Sequence, residues 1–473
     1  MLEKIFHLKE HGTNVKTEIV AGLSTFMTMA YIIALNPNLI TNFGANGGQR
    51  LWNAVFLATV ISAFVGTLLM ALLANKPFAL ASGMGLNAYF GTVVAAIAVT
   101  MGVAFEDAYP AGLAIILVSG VFFTVLTLLR VREKIVAAIP ESVRMGIPAG
   151  IGLMLVNIGL GTNAGIFTEK GAFYMLGSFF TDGPSATKAA MGDAYQTMIL
   201  YVLTFFVGVL IISILAHKNV TGSILLGIVG ASVFYWIGSF ILGNNPFVAL
   251  KGASFVPPFK DMLDLTLFKF DFKGLFSMGI FSAVMTIISF CMVDMFDTIG
   301  TLIGTAKKAN MLTETGEMEN MNKAMLSDSL ATCVGACTGT STVTTFIESA
   351  AGVEEGGRTG LTSLTTAIMF LLCMFIAPIA ALIPAPATSA ALVYVGVLMF
   401  SSLKDIDYTD VAQSVSTILM VVFMMVTGGI GNGIGIGLIA HSAIKLCTGR
   451  AKEVSPLTIV LSILFLGKFF LVF

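Results

Sequence analysis

Long apolar runs alternate with short polar breaks along almost the whole chain. Runs long enough to cross a bilayer, about 20 residues each, fall at approximately 17–36, 51–74, 84–101, 110–130, 141–161, 195–216 and 219–243. A polar stretch, 244–275, interrupts them, and seven more follow at 276–305, 322–338, 342–353, 360–383, 386–403, 407–427 and 429–447. The pattern predicts about fourteen membrane segments, seven on each side of the polar stretch. Two of them, 84–101 and 342–353, are short or broken by glycines and threonines. Residues 455–473 stand outside this count. They are apolar enough to form a fifteenth span, a surface-lying helix or part of a re-divided last hairpin.

Composition narrows the class. Hydrophobic residues make up 56% of the 473 and charged residues 11%, with a mean hydropathy of +0.93. A soluble domain carries about 25% charged residues, so this chain is all-α, polytopic and membrane-embedded. A net charge of −1 gives no basic footprint for nucleic acid. The charged N-terminus, MLEKIFHLKEHGTNVKTE, lacks a long apolar core and reads as a cytoplasmic amphipathic segment, not a cleaved signal peptide. With that end inside, 17 of the 25 basic residues fall on the cytoplasmic side, Lys76, Arg130, Arg132, Lys134, Arg144, Lys307, Lys308, Lys445 and Arg450 among them. The five cysteines include no CxxC pair and read as packing residues, and the scattered histidines suggest no metal site.

An odd number of spans per half places related halves in opposite orientations, a common plan for secondary transporters. Ile139-Pro140 and Ile383-Pro384 each precede a run with a matched glycine, Gly152 and Gly396, both pairs 244 residues apart. The run GSILLGIV (222–229) also resembles NGIGIGLI (432–439). The two broken segments are third in their halves. One carries Gly83, Gly85 and Gly91 around Asn87, and the other is a Thr-rich run leading to Glu348. Corresponding interrupted segments point to a binding site at the membrane midplane, where irregular backbone must be satisfied by protein or by a wet cavity.

Polar chemistry inside the apolar runs then matters most. A carboxylate near the bilayer centre costs roughly 2.5–3.5 kcal/mol on insertion scales and marks a pathway or cavity. Asp294, Asp297 and Thr301 fall at i, i+3 and i+7, on one helical face. Each acid also has a structural reading, as a helix-packing group at Asp294 and Asp297 or a cap at Glu348, and Asn87 could be a packing amide. Carboxylates and an amide without a basic partner repel an anion. A metal cation would fit, and a neutral heterocycle rich in N–H donors fits better, because carboxylates accept such bonds strongly. The same buried acids could bind a proton and couple it to substrate.

Four runs carry a family resemblance: STFMTMAYIIALNP (24–37), GMGLNAYF (83–90), VDMFDTIGT (293–301) and TSTVTTFIESAAGVEEGGRTGL (340–361). They resemble the AzgA-like purine permeases of the nucleobase:cation symporter family, which includes uracil and xanthine permeases. The resemblance implies fourteen spans in two inverted repeats, with short strands before the half-helices of spans 3 and 10. It implies a core domain from residues 1–140 and 276–383, and a gate domain from 141–243 and 384–473. By motif match, Asp297 and Glu348 are the substrate acids, with Thr301 one turn on and Asn87 the associated amide. Asp294 matches a further important acid. Uracil permeases have glycine where this chain has Ile347, so a backbone contact to substrate is implied less firmly there. The implied activity is proton symport of hypoxanthine, guanine or adenine across the cell membrane, with no enzyme chemistry and no cofactor beyond the coupling H+. The implied partners are the purine, protons and the lipid bilayer, in a fold that often dimerises. A sulfate-like anion carrier of the same architecture and a channel remain as alternatives. An intramembrane aspartyl protease does not fit, since its two acids need facing elements.

Overall fold

A computed structural model describes residues 2–42, 44–130, 139–161, 163–166, 192, 194–251, 253–308, 311–312 and 318–470. Arg132 and Lys134, placed on the cytoplasmic side above, lie outside the described residues. The first half runs α1 (Val15–Met29), α2 (Ile32–Ile40), α3 (Gly48–Leu69), strand β1 (Leu80–Ser82), α4 (Met84–Met101), α5 (Phe105–Leu128), α6 (Glu141–Gly159), α7 (Ala194–His217) and α8 (Ser223–Ile241). The second runs α9 (Ile280–Lys308), α10 (Met321–Thr338), strand β2 (Val343–Thr345), α11 (Ser349–Glu354), α12 (Gly360–Leu372), α13 (Ala385–Met399), α14 (Val411–Thr427), α15 (Ile430–Cys447) and α16 (Pro456–Phe470). Among the described residues, eleven helices are long and apolar enough to cross a membrane. Three expected segments lie outside that set. They are α10, which carries Lys323 and Asp328, the six-residue α11, and the shorter α14.

The repeat is visible in matched contacts. Pro140 and Pro384 occupy the residue before α6 and α13, where a fixed φ and a missing N–H cost a helix nothing. Those helices cross at their matched glycines. A Cβ on Gly152 would lie 2.5 Å from the Gly396 carbonyl oxygen, and one on Gly396 would lie 2.5 Å from that of Gly152. Only glycine permits so close an approach.

The strands form an antiparallel ribbon, one from each half, with Leu80 opposite Thr345 and Ser82 opposite Val343. Two strands alone leave outer backbone groups unpaired, which is untenable away from water. Threonines close both edges in the same way. Thr67 Oγ1 accepts from the Leu80 N–H at 2.9 Å and donates to its carbonyl at 2.9 Å. Thr332 Oγ1 accepts from the Val343 N–H at 3.2 Å and lies 3.3 Å from its carbonyl. The chain break falls at this ribbon. Gly85 and Gly91 do not interrupt α4, which runs 18 residues. They let it approach Ile151 and the backbone of residues 39–40 instead.

Helices α1–α5 and α9–α12 pack chiefly among themselves, as do α6–α8 and α13–α16. The polar stretch 244–275 is docked, not loose. Arg50 binds Asp261 and Asp264 at 3.1 and 2.9 Å, and the Phe268 N–H donates to the Cys337 carbonyl at 2.8 Å. The C-terminal run forms a helix of its own. α16 runs antiparallel along α15, with Ser462 donating to the Leu438 carbonyl, Phe465 against Gly435 and Lys468 donating to Asn432. It therefore pairs with α15 as a hairpin.

Candidate functional site

The ribbon places the acids. Asp297, on α9, accepts from Thr344 of β2 at 3.2 Å. Glu348 stands at the N-cap of α11, where a negative charge meets the positive end of the helix. Its Oε1 accepts from the Tyr31 hydroxyl at 2.6 Å, and its backbone carbonyl accepts from Thr28 at 3.3 Å. Thr344 and Glu348 are four residues apart, so the short segment that carries Glu348 also holds Asp297 of α9 through Thr344, and both acids are only partly buried.

The other expected residues sit differently. Asn87 is fully buried. Its Oδ1 accepts from Ser341 beside the ribbon, and its Nδ2 has no partner. Asp294 is 1% exposed, accepting from Thr332 of α10 at 2.8 Å, while its Oδ1 has no partner among the described residues. Thr301 is buried, and its carbonyl accepts from Thr305. Ile347 is 58% exposed, so its side chain projects into open space beside Glu348.

A fourth acid belongs to this group although the sequence reading passed over it. Asp328 of α10 is fully buried. Its Oδ2 accepts from Thr298 at 2.6 Å, and its Oδ1 accepts from the Thr345 N–H at 2.8 Å and hydroxyl at 2.9 Å. Together with Asp294 and Thr332 it forms a reciprocal pair of Asp–Thr bonds between the antiparallel helices α9 and α10. The signal was present in the sequence as a carboxylate inside an apolar run, flanked by Ser327 and Ser329.

Glu18 is the second unexpected acid. Buried in the first turns of α1, it accepts from the Arg358 N–H and from the N–H and hydroxyl groups of Thr359 and Thr362. It thereby caps α12. Arg358 is not simply a surface charge, because its guanidinium donates to the carbonyls of Val353 and Gly357, both at 2.7 Å, at the end of α11.

Access to the acids is one-sided. Gly300 and Gly304 lie on the same face of α9 as Asp297, and a Cβ on either would meet nothing within 4 Å. Ile303 and Ile347 are exposed beside them. This open side leads toward the Lys307 end of α9. The opposite end is closed. Tyr89 stacks on Phe290 at 4.6 Å, and a Cβ on Gly431 of α15 would lie 2.5 Å from Ser289 Oγ and 3.1 Å from the Tyr89 hydroxyl. Thr92 donates to the Gly428 carbonyl at 3.3 Å.

Solved structures share this architecture. The transmembrane domain of the cyanobacterial bicarbonate transporter BicA superposes with a TM-score of 0.60 at 16% identity, covering 89% of this chain and 97% of that one. The murine anion transporter Slc26a9, in its inward-facing state, gives 0.61 at 12% identity over 92% and 68%. At such identities the likeness establishes the fold alone. Sequence relatives are much nearer. A putative permease of Methanocaldococcus jannaschii is 38% identical across 99% of this chain and 98% of its own length. The adenine permease AdeP of Escherichia coli is 36% identical over 99% and 96%, and the guanine/hypoxanthine permease PbuO of Bacillus subtilis 36% over 99% and 100%. Residues 16–436 match the family described as Permease family (Xan_ur_permease). With helices fit to span a bilayer, a pair of carboxylates beside the ribbon and this match over most of its length, the chain is a multi-pass membrane protein belonging to the Permease family.

Proposed function

We propose that this permease imports purine nucleobases across the cell membrane in symport with protons, its N-terminus on the cytoplasmic side. One observation carries the reading. Glu348 and the threonine that holds Asp297 of α9 lie on one short segment beside open space, and among the described residues no basic side chain hydrogen-bonds or ion-pairs with either acid. Two acceptors of that kind suit the N–H edge of a purine, with roughly 1.5–3 kcal/mol from each charged hydrogen bond. Full-length relatives named for adenine and for guanine/hypoxanthine support the substrate class.

Asn87 shapes the pocket from beneath the ribbon, and Thr301 backs Asp297 one turn on. Ile347 contributes its side chain where a glycine would offer only backbone. Asp297, Glu348 or Asp294 carries the coupled proton. The fourteen segments divide into the core and gate groups stated at the outset, which the packing of the helices supports. Alternating access is motion of one group against the other. The site is open toward the Lys307 end and closed where α15 meets Ser289 and Tyr89. An anion carrier fits poorly beside these acids, and a homodimer remains an expectation of the resemblance.

The test is uptake of labelled hypoxanthine, guanine and adenine by a purine-uptake-deficient host, with and without an uncoupler. Saturable uptake that collapses with the uncoupler is expected, along with strong loss in Asp297→Asn and Glu348→Gln. Wild-type uptake in both variants would overturn the site. Undiminished uptake with the uncoupler would overturn the coupling.

A further inference from the structure

We infer that Tyr31 is a positioning residue for Glu348, fixing which carboxylate oxygen meets the ligand. The inference rests on the reading of Glu348 as a substrate acid.

Tyr31 occupies the break between α1 and α2, where the Ala30 N–H ends one helix on the Phe26 carbonyl and the Tyr31 carbonyl begins the next by accepting from Leu35. The ring is 1% exposed, so packing holds it. Its hydroxyl lies 2.6 Å from Glu348 Oε1 and 3.7 Å from the Met84 sulfur. Met84 opens α4 and Glu348 caps α11, so the hydroxyl sits where the two ribbon-borne helices begin. A thioether is a weak acceptor, so the phenol proton goes to the carboxylate. That bond occupies Oε1. Among the described residues no other residue hydrogen-bonds the carboxyl group, which leaves Oε2 for a ligand N–H.

A hydroxyl donor makes a short, directional bond to a carboxyl oxygen, so the packed ring holds the Glu348 carboxyl group in one orientation. The elements packed on α11 are α1 and α9. Their titratable groups facing this end are Tyr31 and Asp297. Glu18 is occupied by residues 358–362 and Asp294 by Thr332. The basic groups Lys16 and Lys307 stand at the far ends of those helices.

Tyr31→Phe keeps the ring and removes the donor. The expected result is a three- to tenfold rise in the KM for labelled purine uptake at neutral pH, with Vmax per surface copy within twofold. The tenfold limit corresponds to about 1.4 kcal/mol. Adding Tyr31→Phe to Glu348→Gln should produce no further loss of purine-induced thermal stabilisation. An unchanged KM in Tyr31→Phe, with Glu348→Gln impaired, would overturn the role of Tyr31 and leave the substrate site standing. A fall in Vmax and surface amount at constant KM would reduce Tyr31 to a packing residue and equally overturn it. Full uptake in Glu348→Gln would instead remove the reading on which the inference rests.

Discussion

Asp328→Ala should disable transport from a distance. The side chain takes three donors, the Thr298 hydroxyl, the Thr345 N–H and the Thr345 hydroxyl, at 2.6, 2.8 and 2.9 Å. After truncation, the Thr298 hydroxyl can turn to its own helix, bonding the carbonyl four residues back. The Thr345 N–H cannot turn without breaking the ribbon, where Thr345 is registered against Leu80. A buried amide left unsatisfied costs about 1–3 kcal/mol, and each charged bond lost is worth about 1.5–3 kcal/mol before the relief of desolvating the carboxylate. A net destabilisation of about 2–5 kcal/mol follows, concentrated beside Thr344, which holds Asp297. Asp328→Asn retains an acceptor for both Thr345 donors and offers an amide N–H to Thr298, so about 1 kcal/mol is expected. The assay is thermal inactivation of the purified protein together with uptake kinetics at matched surface expression. The alanine variant should lose several degrees of stability and at least tenfold in uptake, and the asparagine variant should keep most of both. Wild-type behaviour of the alanine variant would refute the hydrogen-bonding argument. Equal damage from asparagine would assign the role to the charge itself.

Glu18→Gln should lower thermal stability by about 1–3 kcal/mol, because one of its buried donors must face an amide N–H, while the purine KM of the folded protein stays unchanged. A shifted KM would show that α12 communicates with the site. Gly431→Ala should reduce uptake by wedging α15 from Ser289, whereas Gly304→Ala, facing open space, should leave uptake within twofold and gain up to about 1 kcal/mol of helix stability. Equal effects of the two substitutions would contradict the assignment of closed and open ends. Arg450 and Lys445 hold Glu453 from its ordinary 4.5 down to about 2, and Arg450 likewise holds Asp410 well below the usual carboxylate range. A depressed carboxylate stabilises fully above its unfolded value and loses that contribution as pH falls through its folded one. The stability advantage of wild type over Glu453→Gln should therefore be constant above about pH 4.5 and vanish toward pH 2. A difference that persists at pH 2 would exclude the ion pairs as its source.

Much of this architecture was legible because a bilayer leaves a chain little freedom. Apolar runs had to be helices, and the interrupted third segments of each half had to be where irregular backbone is sheltered. The matched prolines and glycines did mark equivalent helices. Asp297 and Glu348 stood out as charges in apolar runs. Asp328 carried the same signal within the run 322–338 and was passed over. Glu18 and Tyr31 gave no local signal, since their roles depend on partners more than 300 residues away. The glycines of α4 misled for a similar reason, because a glycine that breaks a helix and one that admits a neighbouring backbone look alike in sequence.

The threonine clasps on the ribbon have a counterpart in what the halves do not share. Thr67 and Thr332 serve their strands alike, yet Asp294, Asp297, Asp328 and Glu348 all come from the second half, and the first supplies an amide and a phenol. A protein assembled from two first halves would have no acids beside its ribbon, and one from two second halves would crowd eight carboxylates around it. The duplicated halves have thus ceased to be interchangeable. The inward-facing and outward-facing states should differ in energy even though the scaffold that turns between them is nearly symmetric.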